Sequence, residues 1–261
     1  MDSRFRADNR RYDELRSISI ERGVNRYAEG SALIRWGDTV VNCTASVENR
    51  VPPFLRGLGS GWVSAEYSML PRATQERNQR DVTRGKPSGR SSEIQRLIGR
   101  SVRAAVDLAS IGERTILVDC DVLQASGGTR TASITASFVC LVDALRTIAR
   151  CDGRSDLPIT AQIGAVSVGI VGGAHLLDLS YEEDHVAEVD CNVVMTSAGE
   201  FVEIQGTGER GSFSRRDLDN MLLLAESGLR DIFSIQRDAL DLSESEAAMF
   251  DLLELEKGTN A

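Results

Sequence analysis

The segment VDCDVLQASGGTRTASITASFVCLVDAL, residues 118–145, decides how the chain is organised. Its opening reads as a strand, and it runs into Gly127-Gly128-Thr129-Arg130 with no linker between. Beyond the glycines, Ile134, Phe138, Leu141, Val142 and Leu145 recur at helical spacing, so the pattern predicts an amphipathic helix that starts at once. Glycines let the backbone approach a ligand closely, and the first amides of a helix point outward with partial positive charge. Thr129 and Arg130 add a hydroxyl and a guanidinium, and together these groups form a candidate anion site. By itself such a turn also reads as an ordinary strand-to-helix connection. It is neither a Walker loop, which needs G-x-x-x-x-G-K-[ST], nor a G-x-G-x-x-G loop.

Outward from this segment, alternation and β-branched content predict strands at 16–20, 31–35, 39–47, 114–122, 163–171 and 188–196. SALIRWGDTVVNCTASVE reads as a hairpin turning at Gly37-Asp38. A helix is expected from about Ser92 to Ala109, burying Ile94, Leu97, Ile98, Val102, Ala105 and Val106 and presenting Arg96, Arg100 and Arg103. A further helix is expected after Ser214, a candidate N-cap, through Leu218, Leu222, Leu223, Leu229 and Ile232. Strands, then helices, then the same again suggest an α+β fold with internal duplication of βαβα type. No linker divides residues 1–241, which are expected to form a single domain, and residues 242–261 are expected to be an acidic tail whose last dozen residues are frayed.

Composition narrows the function classes. The apolar runs fall short of a membrane span, and MDSRFRADNRRYDELRS lacks an apolar signal core and a small-residue cleavage site, so no membrane partner and a cytoplasmic location are expected. The five cysteines contain no C-x-x-C pair and read as reduced, buried thiols. The formal net charge is -9, but residues 1–130 hold 21 Lys and Arg against 16 Asp and Glu, whereas 131–261 hold 9 against 23. From Arg72 to Arg103 nine basic residues face three acidic ones, and all but Lys86 are arginines. The rigid fork of arginine suits phosphate oxygens and RNA backbone, although a GC-rich genome would also favour arginine.

Two further segments carry possible chemistry. In GKPSGRSSEIQRLIGRSVRAAVDL, Arg90 stands beside the start of a helix and could hold the same anion, or could be an exposed loop arginine. LLDLSYEEDHVAEVDCNVVM, residues 176–195, contains Asp178, Glu182, Glu183, Asp184, Glu188 and Asp190. Paired carboxylates suit Mg²⁺, which prefers oxygen ligands; a solvated acidic hairpin is the plain alternative. Along a straight strand Asp178 and Asp184 would stand about 20 Å apart, so a shared ion requires the chain to turn back between them. With two histidines and no serine in a G-x-S-x-G context, a histidine-based hydrolase has little support.

These segments, in this order and with GWVSAEYSMLPRATQERNQRDVTRGKPSGRSSEIQRLIGRS ahead of them, resemble the ribonuclease PH family. These are bacterial tRNA nucleotidyltransferases related to exosome ring subunits and polynucleotide phosphorylase. EGSALIRWGDTVV, DCDVLQA, GGTRTASIT and VEIQGTGE add to the match, which spans roughly residues 10–240. The resemblance implies a fold like ribosomal protein S5 domain 2 and a homohexamer built as a trimer of dimers. It implies phosphorolytic removal of 3′-terminal nucleotides from RNA, tRNA precursors above all, with inorganic phosphate as co-substrate and Mg²⁺ or Mn²⁺ as cofactor. Phosphate would be held by Arg90, Gly127, Gly128, Thr129 and Arg130. Asp178 and Asp184 would bind metal and serve catalysis. Arg72, Arg77 and Arg80 would line the RNA path and a dimer contact. The chain departs from the family at Ser126, usually Asp, at Gln75, near which a histidine is common, and in its acidic C-terminal extension. A catalytically silent ring subunit and a water-using nuclease are the competing expectations.

Overall fold

The computed structural model describes residues 6–255, apart from 81, 82, 84, 86 and 87. Asp81, Arg84 and Lys86 of the arginine-rich stretch, and residues 256–261 of the expected tail, lie outside the described residues.

Strands β1 (Ile18–Arg22), β2 (Gly30–Trp36), β3 (Thr39–Glu48), β4 (Trp62–Met69) and β5 (Thr115–Gln124) form one sheet in the order β1-β2-β3-β5-β4. All its pairs are antiparallel except β4 with β5, which helix α1 (Gly89–Arg103) joins as a parallel crossover. In β3, Thr39, Val41, Cys43 and Ala45 are buried while the residues between them are half exposed, the period-2 signature of a sheet covered on one face. The expected hairpin is present: Trp36 pairs with Thr39, and Gly37 takes φ +54° at the first turn position, as a primed turn requires.

A second sheet, all antiparallel, contains β6 (Ile163–Val171), β7 (Ala174–Leu177), β8 (Val189–Thr196) and β9 (Phe201–Gly208) in the order β7-β6-β8-β9. Helix α2 (Thr129–Cys151) lies between the sheets, touching β2, β3 and β5 on one side and β6 on the other. Helix α4 (Arg215–Leu240) packs on β6, β7 and β1, and Ser214 caps it with a full capping box. Because β6 meets both α2 and α4, its burial is continuous rather than alternating. α2 is long and apolar enough to cross a membrane by length and hydropathy, but 83% of that window is buried inside the protein, as befits a central core helix.

The α+β class with two sheets and packed helices is as expected. Each half closes with a long helix, α2 or α4; they differ in that a helix bridges β4 and β5 whereas a short turn joins β8 and β9. Four cysteines are buried thiols as expected, and Cys151, at the end of α2, is exposed.

Two expectations require correction. Helix α1 ends at Arg103, not Ala109, because residues 105–107 leave the helix to bond with 158–160: Asp107 N–H donates to Pro158 O and Thr160 N–H to Ala105 O. Residues Glu244–Leu255, expected as part of an acidic tail, form helix α5. Phe250 of α5 is fully buried, edge-on to Phe138 of α2 at 6.2 Å, and Arg146 pairs with Glu246 at 2.7 Å. The chain reaches α5 through Asp241 in a left-handed conformation, which aspartate tolerates better than most residues.

Candidate active site

Strand β5 delivers the glycine turn and β7 delivers the acidic segment to the same end of the molecule, where they meet in a cleft of about 1480 Å³. Gly127 takes φ +85°, and a Cβ there would stand 2.7 Å from Ser180 C and Tyr181 N, so only glycine fits the seam between the two segments. Tyr181 N–H donates to Ser126 O, Arg16 donates to the same carbonyl at 2.6 Å, and Thr39 Oγ1 donates to Gly127 O at 2.6 Å.

The turn opens α2. Its N-cap, Gly128, supplies no side chain to its first amides, and Thr129 is held by a 2.9 Å bond from the Tyr67 hydroxyl. Arg130 donates through Nη2 to Glu93 Oε2 at 2.9 Å, and Gln205 holds the other oxygen of Glu93 at 2.8 Å. Burial works to raise the Glu93 carboxyl, but Arg130 and Gln205 outweigh it and hold the group below the usual range. The Nε–H of Arg130 is buried and has no hydrogen-bond partner among the described residues. A buried charged donor without an acceptor is costly, and here it adjoins the uncapped N-terminus of a 23-residue helix. Arg90, second residue of α1, is exposed and lines the same cleft. Arg90, Gly127, Gly128, Thr129 and Arg130 are thus brought together as the sequence suggests.

The two aspartates of the expected metal pair, Asp178 and Asp184, stand in different surroundings. Asp178 has no solvent exposure. Its Oδ2 accepts from the Arg16 backbone N–H at 2.8 Å, Arg16 Nε at 3.0 Å, Trp36 Nε1 at 2.9 Å and Arg10 Nη1 at 3.4 Å, and its Oδ1 from Arg16 Nη2 at 2.6 Å. Both oxygens are engaged by donors, and Asp178 stands outside the cleft lining that includes Asp184. It clamps Arg16, which in turn holds the carbonyl before the glycine turn.

Asp184 lies on the short helix α3 (Tyr181–Val186), fixed by a Ser180/Glu183 capping box. Its partner in the cleft is Asp190 on β8. Burial raises the Asp184 carboxyl, against the nearby charges of Arg90 and Arg130 that lower it. Burial, reinforced by the charge of Asp184, pushes Asp190 up to about 6. Two carboxylates that resist ionising together, beside two arginines, make a site that takes up a proton or a cation. From sequence Asp190 counts in the acidic segment with no role of its own, although it is the one charged residue in the VDCNVVMT strand. Among the described residues no group of three or more His, Cys, Asp or Glu could hold a metal ion.

Arg72, Arg77 and Arg80 are exposed on the segment after β4. Ala125 N–H donates to Ala73 O at 2.8 Å and ties this segment to the glycine turn. Its Thr74, Gln75, Glu76 and Asn78 line the cleft; the three arginines stand outside the lining.

Residues 14–146 match the 3′ exoribonuclease family, domain 1, and residues 161–228 match domain 2 of the same family. Among solved structures, a chain of the Archaeoglobus fulgidus exosome with RNA bound to the active site is 26% identical, with 88% of this chain and 92% of that chain covered and a TM-score of 0.75. A chain of an archaeal exosome core is 24% identical over 89% and 91%, with a TM-score of 0.72. Rice (Oryza sativa) Rrp46 is 19% identical over 90% and 100%, with a TM-score of 0.73, a likeness of fold.

Proposed function

The chain belongs to the 3′ exoribonuclease family, and on that premise we propose that it shortens RNA from the 3′ end by phosphorolysis. The observation that carries the reading is the unpartnered, buried Nε–H of Arg130 beside the open N-terminus of α2, in the cleft that holds Asp184 and Asp190. Phosphorolysis needs a place for inorganic phosphate beside the scissile phosphate, and the open N-terminus of α2 offers one. Inorganic phosphate, gripped by Arg130, Arg90 and the amides of 127–130, attacks the last phosphodiester. The new P–O bond forms as the bond to the penultimate 3′ oxygen breaks, and a nucleoside diphosphate departs. The leaving 3′ oxygen needs a proton, and a carboxyl of the Asp184–Asp190 pair, disposed by burial to hold one, stands in the cleft to supply it. Asp184 and Asp190 would hold Mg²⁺ or Mn²⁺, which would offset charge developing on the phosphoryl oxygens. A phosphoanhydride forms as a phosphodiester breaks, so the reaction runs in both directions.

The finer assignments follow the resemblance: tRNA precursors as substrates, a cytoplasmic homohexamer built as a trimer of dimers, and Arg72, Arg77 and Arg80 along the RNA path. The likeness to a chain of an exosome with RNA bound to its active site supports RNA as the ligand. The test incubates a short RNA with the protein, with and without phosphate. Nucleoside diphosphates released only with phosphate support phosphorolysis. Monophosphates would mark a hydrolase, and an unchanged RNA would mark a silent ring subunit. Sedimentation and a tRNA precursor as substrate test the assembly and the RNA class.

A further inference from the structure

Tyr181 opens α3 and is 58% exposed, yet it belongs to the lining of the cleft. Two contacts fix where it stands. Its backbone N–H donates to Ser126 O at 3.2 Å, which seats it against the turn that opens α2. One helical turn on, the His185 ring stacks on the Tyr181 ring with centroids 6.2 Å apart and planes at 18°. His185 lies outside the cleft lining, so the imidazole backs one face of the tyrosine and leaves the other towards the cleft. Residues three apart share a side of a helix, so Tyr181 and Asp184 address the same space.

We infer that Tyr181, backed by His185, is the platform on which the base of the RNA's 3′-terminal nucleotide stacks. The inference rests on the reading of the cleft as an RNA 3′-end site. A base laid on Tyr181 directs its own sugar and phosphate towards Asp184 and Arg130, where the bond to be broken must sit. Stacking on an aromatic ring accepts every base, because each base has a π face, and an exonuclease that trims successive nucleotides requires that tolerance. The platform therefore places the terminal nucleotide without reading its sequence.

The test uses the full chain without phosphate, so that nothing turns over, and a short RNA carrying 2-aminopurine at its 3′ terminus, whose fluorescence falls on stacking. The parent should quench it, and Tyr181→Phe should quench it as well. Tyr181→Ala should abolish the quench and weaken RNA binding roughly tenfold to a hundredfold, the range of a single base–aromatic stack, with no change in sedimentation. An RNA with an abasic 3′ residue should bind parent and Tyr181→Ala alike, a coupling that a purely structural tyrosine would not show. His185→Ala, which leaves Tyr181 in place, should reduce the quench in part; Tyr181→Leu replaces the alanine variant should that fold poorly. An undiminished quench in Tyr181→Ala, a quench seen only at an inner nucleotide, or a loss explained by altered assembly overturns the inference. Adding phosphate separates it from the reading it rests on. A parent that quenches but releases no nucleoside diphosphate refutes phosphorolysis alone, and one that releases diphosphate with its quench independent of Tyr181 refutes stacking alone.

Discussion

Replacing Asp178 with Asn discriminates most sharply between the roles that a carboxylate can have here. Five donor atoms, four of them on Arg10 and Arg16, converge on a side chain with no solvent exposure. Asparagine keeps the shape and tolerates the left-handed φ of +54° at this position, so the backbone is not a confounding factor. It removes the charge and turns an amide NH₂ towards guanidinium groups that remain buried. Leaving one side of a buried ion pair uncompensated costs about 3–5 kcal/mol. At roughly 2–4 °C per kcal/mol for a domain of this size, Tm should fall by about 6–20 °C. The assay pairs thermal unfolding at pH 7 with Mn²⁺ binding measured well below the new Tm. Tm should drop while cation affinity stays that of the parent. Asp190→Asn should do the reverse, abolishing cation binding with Tm unchanged or raised, since at neutral pH burial disfavours its ionised form. An Asp178→Asn protein with an unaltered Tm and weakened Mn²⁺ binding would falsify the clamp and return Asp178 to the metal site.

Arg130→Ala should raise the KM for phosphate at least tenfold, with activity partly restored at high phosphate, because it deletes a charged donor aimed at the anion; parent-like kinetics at low phosphate would remove the GGTR turn from the site. Phe250→Ala should cost about 3 kcal/mol in urea unfolding by opening a cavity against Phe138, whereas a dispensable tail would lose nothing. The hydrogen bond from Arg146 is the chief reason Glu246 is lowered to about 2, below the ordinary 4.5. Its stabilisation is therefore present above the ordinary value and fades as pH falls through about 2. Allowing for partial solvent screening, Glu246→Gln should lose about 1 kcal/mol at pH 7, a difference that shrinks below pH 4 and is gone near pH 2 in pH-dependent unfolding. A constant difference across that range would show that the ion pair does not anchor α5.

What could be read along the chain follows from how local each signal is. β3 and β6 show in their apolar patterns, the hairpin in Gly37-Asp38, and α4 in Ser214 and its leucines, because each element is specified by neighbours a few residues away. β9 escaped because FVEIQGTG is an edge strand with mixed polarity, and β4 because it joins the sheet edge in parallel and half exposed. The α5 segment looked like a tail since the Phe138 ring that buries Phe250 is over a hundred residues away.

The site divides in the same manner. Gly127, Gly128, Thr129 and Arg130 are legible in the sequence as a candidate anion site, because a glycine turn and the helix that follows it make their geometry within a handful of residues. Asp178, Asp184 and Asp190 are indistinguishable as letters, each an aspartate six residues from the next. Only the tertiary structure separates them. It brings Arg10, Arg16 and Trp36 across more than 140 residues to bury Asp178, and it leaves Asp184 and Asp190 in a cleft between segments that meet at Gly127. A carboxylate's role depends on the charges and water around it, and those come from distant parts of the chain.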